Sequence, residues 1–164
     1  MKIRIITAYR CIKSRQSNNT VYMQQERYYR LKQLSIYPLT AFWEDITKFL
    51  SKTLSDEFNI ILSIDANENI RDRKLQQAFN SLGLIETTSL FSNEPLLAFH
   101  VIGSKQICGV WVSPNILPST TLILPHYFDI GDHRYLVLDF PIELFLGDRF
   151  IPIYKSEVWR LTTK

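Results

Sequence analysis

Cysteine is scarce in this sequence: Cys11 and Cys108 are the only two in 164 residues. Two thiols cannot build a disulfide framework, and their spacing matches no metal-ligand pattern, so a disulfide-stapled domain is excluded and a reducing setting is expected. Glycine and proline are equally unremarkable at five and seven residues, which excludes collagenous and low-complexity chains. No internal repeat is present. No apolar run approaches the ~20 residues of a membrane span, so no membrane partner is expected. The opening Lys2-Ile3-Arg4-Ile5-Ile6 turns polar too soon for a secretory leader. An intracellular location, cytoplasmic or nuclear, follows as an expectation.

What is present is enough apolar surface for a core: hydrophobic residues make up 46% and aromatic residues 13%, which argues against a disordered chain. Nineteen Lys and Arg against sixteen Asp and Glu leave a formal charge of +3. This is compatible with a polyanionic partner without requiring one. The length suits one domain, read here as residues 1–146, with 147–164 as a C-terminal extension or the start of a linker.

The pattern alternates strands and helices. Ile3 to Ala8 is a β-branched run and reads as a strand, followed by a polar loop from Lys13 to Thr20. Val21 to Leu34 reads as a helix with Met23, Tyr28, Leu31 and Leu34 on its buried side. After Pro38, Thr40 offers an N-cap, Glu44 and Asp45 suit a helix start, and Phe42, Ile46, Phe49, Leu50 and Leu54 form an amphipathic stripe. Asn59 to Ile64 reads as a strand buried on both faces. Asp72 caps a helix to Leu82 with Leu75 and Phe79 inward, and Gly83 stops it. Further strands are expected at Leu97–Ile102, Gln106–Ser113 and Tyr135–Phe140. The sum is a mixed α/β (α+β) layered domain.

Three short segments carry candidate chemistry. Asp65-Ala66-Asn67 puts a carboxylate and a carboxamide on the same side beyond a strand end, where ligands of α/β sheets commonly sit; an Asx-type turn is the plainer alternative. Asp132-His133, before the strand Tyr135–Phe140, can offer a hard oxygen ligand and a proton-carrying ring. Tyr9 and Arg10 stand at the end of the first strand, where a phenol and a guanidinium can orient a phosphate. His100 and His126 read as packing or surface residues, Lys105 as an exposed hairpin lysine, and Glu68 as a solvent-facing turn residue beside Asn67.

In this order the segments Ile5-Ile-Thr-Ala-Tyr-Arg10, Ile61-Leu-Ser-Ile-Asp-Ala-Asn-Glu68, Gly103-Ser-Lys-Gln-Ile-Cys-Gly-Val-Trp-Val-Ser-Pro114 and Gly131-Asp-His-Arg-Tyr-Leu-Val-Leu-Asp-Phe140 resemble the endonuclease/exonuclease/phosphatase superfamily. That superfamily includes deoxyribonuclease I, apurinic/apyrimidinic endonucleases and the endonuclease domains of non-LTR retrotransposons. The resemblance runs from Ile3 to about Phe140. It implies a deoxyribonuclease I-like layered sandwich truncated at the N-terminus, and magnesium-dependent phosphodiester hydrolysis on nucleic acid, DNA ahead of RNA. Asp65 would activate the attacking water and Asn67 would hold the scissile phosphate. Tyr9 and Arg10 would contact phosphate, Asp132 would help hold Mg²⁺, and His133 would offset the charge developing on phosphorus.

Two departures from the family pattern are expected to silence the reaction. Members begin with roughly a hundred further residues that carry a metal-binding Glu, and no segment here corresponds to them. Cys108 stands where the pattern has an Asp that orients the histidine matched by His133. An incomplete two-sheet core is expected to show an unpaired edge and an exposed apolar face, with the absent half or a larger polyprotein as a partner. The alternatives are a degenerate, non-catalytic descendant that binds nucleic acid or protein, and an α/β binding domain in which Asp65 and Asp132 sit in unrelated turns.

Overall fold

The computed structural model describes residues 1–14, 17, 19–91, 98–128 and 131–147. The extension expected beyond Gly147 and the first residue of the expected strand Leu97–Ile102 lie outside the described residues. The chain is mixed α/β with two sheets, consistent with an α+β class. Strands β1 (Lys2–Tyr9), β2 (Phe58–Asp65), β3 (Ile85–Glu86) and β4 (Cys108–Val112) form one sheet in the order β1-β2-β4-β3. β1 and β2 are parallel, and helices α1 (Val21–Leu31) and α2 (Pro38–Ser55) make the crossover that parallel neighbours need. β4 runs antiparallel to both β2 and β3. Helices α3 (Arg73–Asn80), α4 (Thr88–Phe91) and α5 (Glu143–Leu146) are the further α-helices among the described residues, and β5 (Thr120–Ile123) and β6 (Leu136–Asp139) pair in a separate antiparallel sheet.

The strictly alternating side chains of a strand explain where the core lies. On one face of β2, Ile60, Leu62 and Ile64 pack with Leu50 of α2, Leu75 and Phe79 of α3 and Trp111 of β4. Phe79 meets Trp111 edge-on with ring centroids 4.9 Å apart, and Trp43 extends the stack at 6.0 Å from Phe79. On the other face, Ile61, Val110, Val112 and Ile116 pack against Leu136 and Leu138 of β6 and against Phe140 and Leu144. β2 is therefore covered on both sides, by helices and by the small sheet. Among the described residues β1 pairs with β2 alone, at the edge of its sheet, where Ile5 is 70% exposed and Tyr9 57%.

Several elements differ from the sequence pattern, for identifiable reasons. α2 starts at Pro38 with Tyr37 as its cap, because proline needs no N–H in the first turn; Thr40 is inside the helix and no acidic residue falls in its first turn. α1 ends at Leu31, and it is Tyr22 that is buried, while Tyr28, Leu31 and Leu34 are exposed. Thr20 caps α1 by accepting from the Met23 N–H, and Tyr22 packs edge-on to Tyr37. The strand expected at Leu97–Ile102 is, among its described residues, a single bridge from His100 to His133. The chain then turns as the Gly103 N–H donates to the His100 carbonyl at 2.9 Å. β5 was not anticipated, since prolines flank it on both sides. Among the described residues no helix is long and apolar enough to cross a membrane.

Candidate functional site

The C-terminal ends of β1 and β2 and the start of β4 meet along one margin of the sheet. Tyr9 is the register partner of Asp65, and Asp65 is the register partner of Cys108. Directly opposed residues project to the same face, so these three side chains form a row across three strands, on the face that holds Ile61 and Val110. Gly109, next in β4, turns the other way into the core. A Cβ there would stand 2.5 Å from Ile70 Cδ1 and 3.0 Å from Trp111 Cζ3, so glycine lets β4 approach that cluster closely.

The turn after β2 is built by its own side chains. Asp65 Oδ1 accepts from the Asn67 N–H at 3.0 Å, closing an Asx turn, and Asn67 takes the left-handed φ of 48° that asparagine tolerates. Asn67 Nδ2 donates to the Arg10 carbonyl at 2.7 Å, which ties the ends of β1 and β2 together. Arg10 is 8% exposed. Its Nη1 donates to the Ala66 carbonyl at 3.3 Å and pairs with Glu68 at 3.2 Å, and the guanidinium lies 5.4 Å from the Trp43 ring centre. Asn67 and Arg10, predicted as phosphate ligands, are thus engaged with backbone, Glu68 and Trp43, and they brace the strand ends.

His133 reaches the row from the far side. Arg134 N–H donates to the Phe99 carbonyl at 2.8 Å, Val101 N–H to the Asp132 carbonyl at 2.9 Å, and Arg134 Nε to the Ala98 carbonyl at 2.9 Å. Phe99, fully buried, anchors this clasp. His133 Nδ1 then stands 3.2 Å from Cys108 Sγ. One donor atom from each of Asp65, Cys108 and His133 lies within 4.8 Å of the others, and the same holds for His100, Asp132 and His133. His100 Nε2 is 3.3 Å from Asp132 Oδ2, His133 Nε2 is 4.0 Å from Asp132 Oδ1, and the two rings are edge-on at 5.2 Å.

The structure therefore brings Asp65, Cys108, His133 and Asp132 together, places Tyr9 at the exposed end of the row, and turns Asn67 and Arg10 away. His100, read from sequence as a packing residue, belongs to the cluster. No local signal in the sequence marks it; the bridge to His133, 33 positions away, brings it in.

The electrostatics argue against a cysteine nucleophile. Burial, then the Asp65 charge, then a hydrogen bond to Asp65 push the Cys108 thiol up to about 12. A reactive cysteine needs the opposite, a cationic neighbourhood that lowers its pKa. The donor set is equally unsuited to the Mg²⁺ that the sequence resemblance implies. Magnesium demands octahedral oxygen donors at about 2.0–2.1 Å, and this cluster mixes two carboxylates with a sulfur and imidazole nitrogens. Compared with known proteins, the chain matches no family model, no curated protein and no solved structure, so its function has to be argued from the Asp65–Cys108–His133 cluster itself.

Proposed function

We propose that this chain carries an incomplete phosphodiester-hydrolysis site of the endonuclease/exonuclease/phosphatase type on a deoxyribonuclease I-like scaffold, acting on nucleic acid, and that it does not cleave with magnesium as it stands. The observation that supports this most is the convergence of Asp65 and His133, 68 positions apart in sequence, at the margin where parallel strands end. Asp65 suits activation of a water, and the His133 N–H suits an oxygen that gains charge as the phosphodiester is attacked. Cys108 adds to the silence expected from the missing metal-binding Glu. A neutral thiol beside His133 neither orients the ring as a carboxylate does nor stabilises an imidazolium.

The test is Cys108→Asp. Wild-type chain is expected to leave supercoiled plasmid intact in Mg²⁺ or Mn²⁺, whereas C108D supplied with a family N-terminal half that carries the metal-binding Glu nicks it in Mn²⁺, and D65N/C108D supplied in the same way does not. Nicking that is equal in C108D and D65N/C108D, or absent from a folded C108D so supplied, removes the phosphodiester reading. The non-catalytic alternative, a nucleic-acid-binding descendant, draws on the same Cys108; plasmid retardation by wild-type chain without metal would favour it.

A further inference from the structure

Three donors of different chemistry converge at the sheet margin, and their mixture selects a softer ion than magnesium. We propose that Asp65, Cys108 and His133 form a binding site for a zinc-class divalent cation, held by a carboxylate oxygen, the Cys108 sulfur and His133 Nδ1, with a fourth position left for water or an oxygen ligand. The proposal stands on donor geometry and goes beyond the phosphodiester reading, so either can fail alone.

The spacing fits. Zinc bonds of about 2.0–2.3 Å hold neighbouring ligand atoms roughly 3.3–3.8 Å apart in a tetrahedron. Sγ and Nδ1 already stand at 3.2 Å, and all three donor atoms lie within 4.8 Å of one another, so side-chain rotation closes the chelate without moving the strands. Asp65 and Cys108 are register partners on adjacent strands, which fixes their separation by backbone hydrogen bonding and gives a rigid platform. Sulfur and imidazole donors favour zinc-class ions over magnesium and calcium.

The surroundings of His133 supply a second, independent feature. With Nδ1 on the metal, Nε2 carries the ring proton and lies 4.0 Å from Asp132 Oδ1, beyond hydrogen-bond length, so rotation of the exposed Asp132 side chain would complete the carboxylate–histidine–metal arrangement that fixes a ligand's tautomer. His100 holds that carboxylate from the other side. Its Nδ1 accepts from the Ile102 N–H at 3.3 Å, which leaves Nε2 to face Asp132 Oδ2 at 3.3 Å. His100 is therefore a positioning residue and not a fourth ligand. Loading forms a metal–sulfur bond and releases the thiol proton to solvent.

Metal-free full-length chain titrated with Co²⁺, then Zn²⁺, tests this. The expected result is a single Co²⁺ per chain with tetrahedral visible bands and a thiolate-to-cobalt charge-transfer band, all bleached by Zn²⁺ and untouched by excess Mg²⁺. C108S loses the charge-transfer band, and D65N and H133A lose the tight site. Asp132 is largely exposed, and D132N keeps every donor, so it is expected to fold; it should keep the band while zinc affinity falls about 10–100-fold. Absence of cobalt bands in the wild-type chain overturns the proposal, as do bands that persist in C108S or zinc affinity that D132N leaves unchanged.

Discussion

Cys108 Sγ and His133 Nδ1 face each other at 3.2 Å, yet burial, and then the nearby Asp65 carboxylate, keep the sulfur a thiol. A cysteine–histidine pair in isolation suggests a nucleophile; burial reverses that inference, and the negative charge of Asp65 adds to it by stabilising the proton on sulfur.

Metal-free protein should therefore alkylate slowly at Cys108. With the thiol raised to about 12, the thiolate fraction at pH 8 is about one in ten thousand. Iodoacetamide labelling followed by peptide mass spectrometry should show Cys108 reacting far more slowly than free cysteine, and D65N should speed it several-fold. The linked stability has a definite sign. The folded value lies above the 9.0 of an ordinary thiol, so the contribution is complete below pH 9 and is lost as pH rises toward 12. Labelling of Cys108 at the rate of a free thiol would refute this account.

Arg71, half-buried, pairs with the buried carboxylate of Glu86, and the loss of this partner should be costly. Arg71 Nη2 lies 3.2 Å from Glu86 Oε2, and the Glu86 side chain is 1% exposed. Glu86 also accepts from the Thr88 N–H and hydroxyl and from the Ser89 N–H. R71A leaves the carboxylate buried without a cation, and urea unfolding should show a loss of about 3–5 kcal/mol. A loss below 1 kcal/mol would mean that water replaces the guanidinium.

Asn67 gives a test of the brace. N67A loses the 2.7 Å bond to the Arg10 carbonyl and puts alanine at φ 48°, so a cost of about 2–3 kcal/mol is expected in thermal unfolding. N67G loses the bond but tolerates the backbone, and it should cost about half as much. Equal losses would show that backbone conformation is irrelevant here.

Gly109 and Ile70 should be coupled. G109A drives a Cβ to 2.5 Å from Ile70 Cδ1 in a fully buried setting, at a cost of about 1–3 kcal/mol. I70V removes that same methyl. The double variant G109A/I70V should be more stable than the sum of the single losses predicts, by about 1 kcal/mol in a double-mutant cycle. Strict additivity would place the strain of G109A elsewhere.

How much of this was legible in the sequence depends on how local each signal is. The β-branched runs of β1 and β2 and the Asp72 cap of α3 follow from neighbours in the chain, and they are found as expected. Asp65 and Asp132-His133 could be singled out because each adjoins a strand. His100 could not, since its partner is 33 positions away and only a single bridge unites them. Arg10 looked like a phosphate ligand because its inward partners, the Ala66 carbonyl and Glu68 in one turn and Trp43 in α2, come from two distant stretches of chain. The buried side of α1 was misread for a related reason: Tyr22 is selected by Tyr37, from the turn that leads into α2, and not by the periodicity of the helix itself.

The Tyr9–Asp65–Cys108 row also constrains how the sheet can assemble. β2 pairs in parallel with β1 and antiparallel with β4, so two separate alignments must both be right for the row to exist. A slip of one residue in β2 would turn Asp65 into the space of Ile64, inside the helix-covered core, and push Ile64 out to the margin. Burying an unpaired carboxylate there costs several kcal/mol. The polar cluster therefore proofreads strand alignment during folding, and substitutions that make Asp65 apolar should relax that check even where they leave the native fold intact.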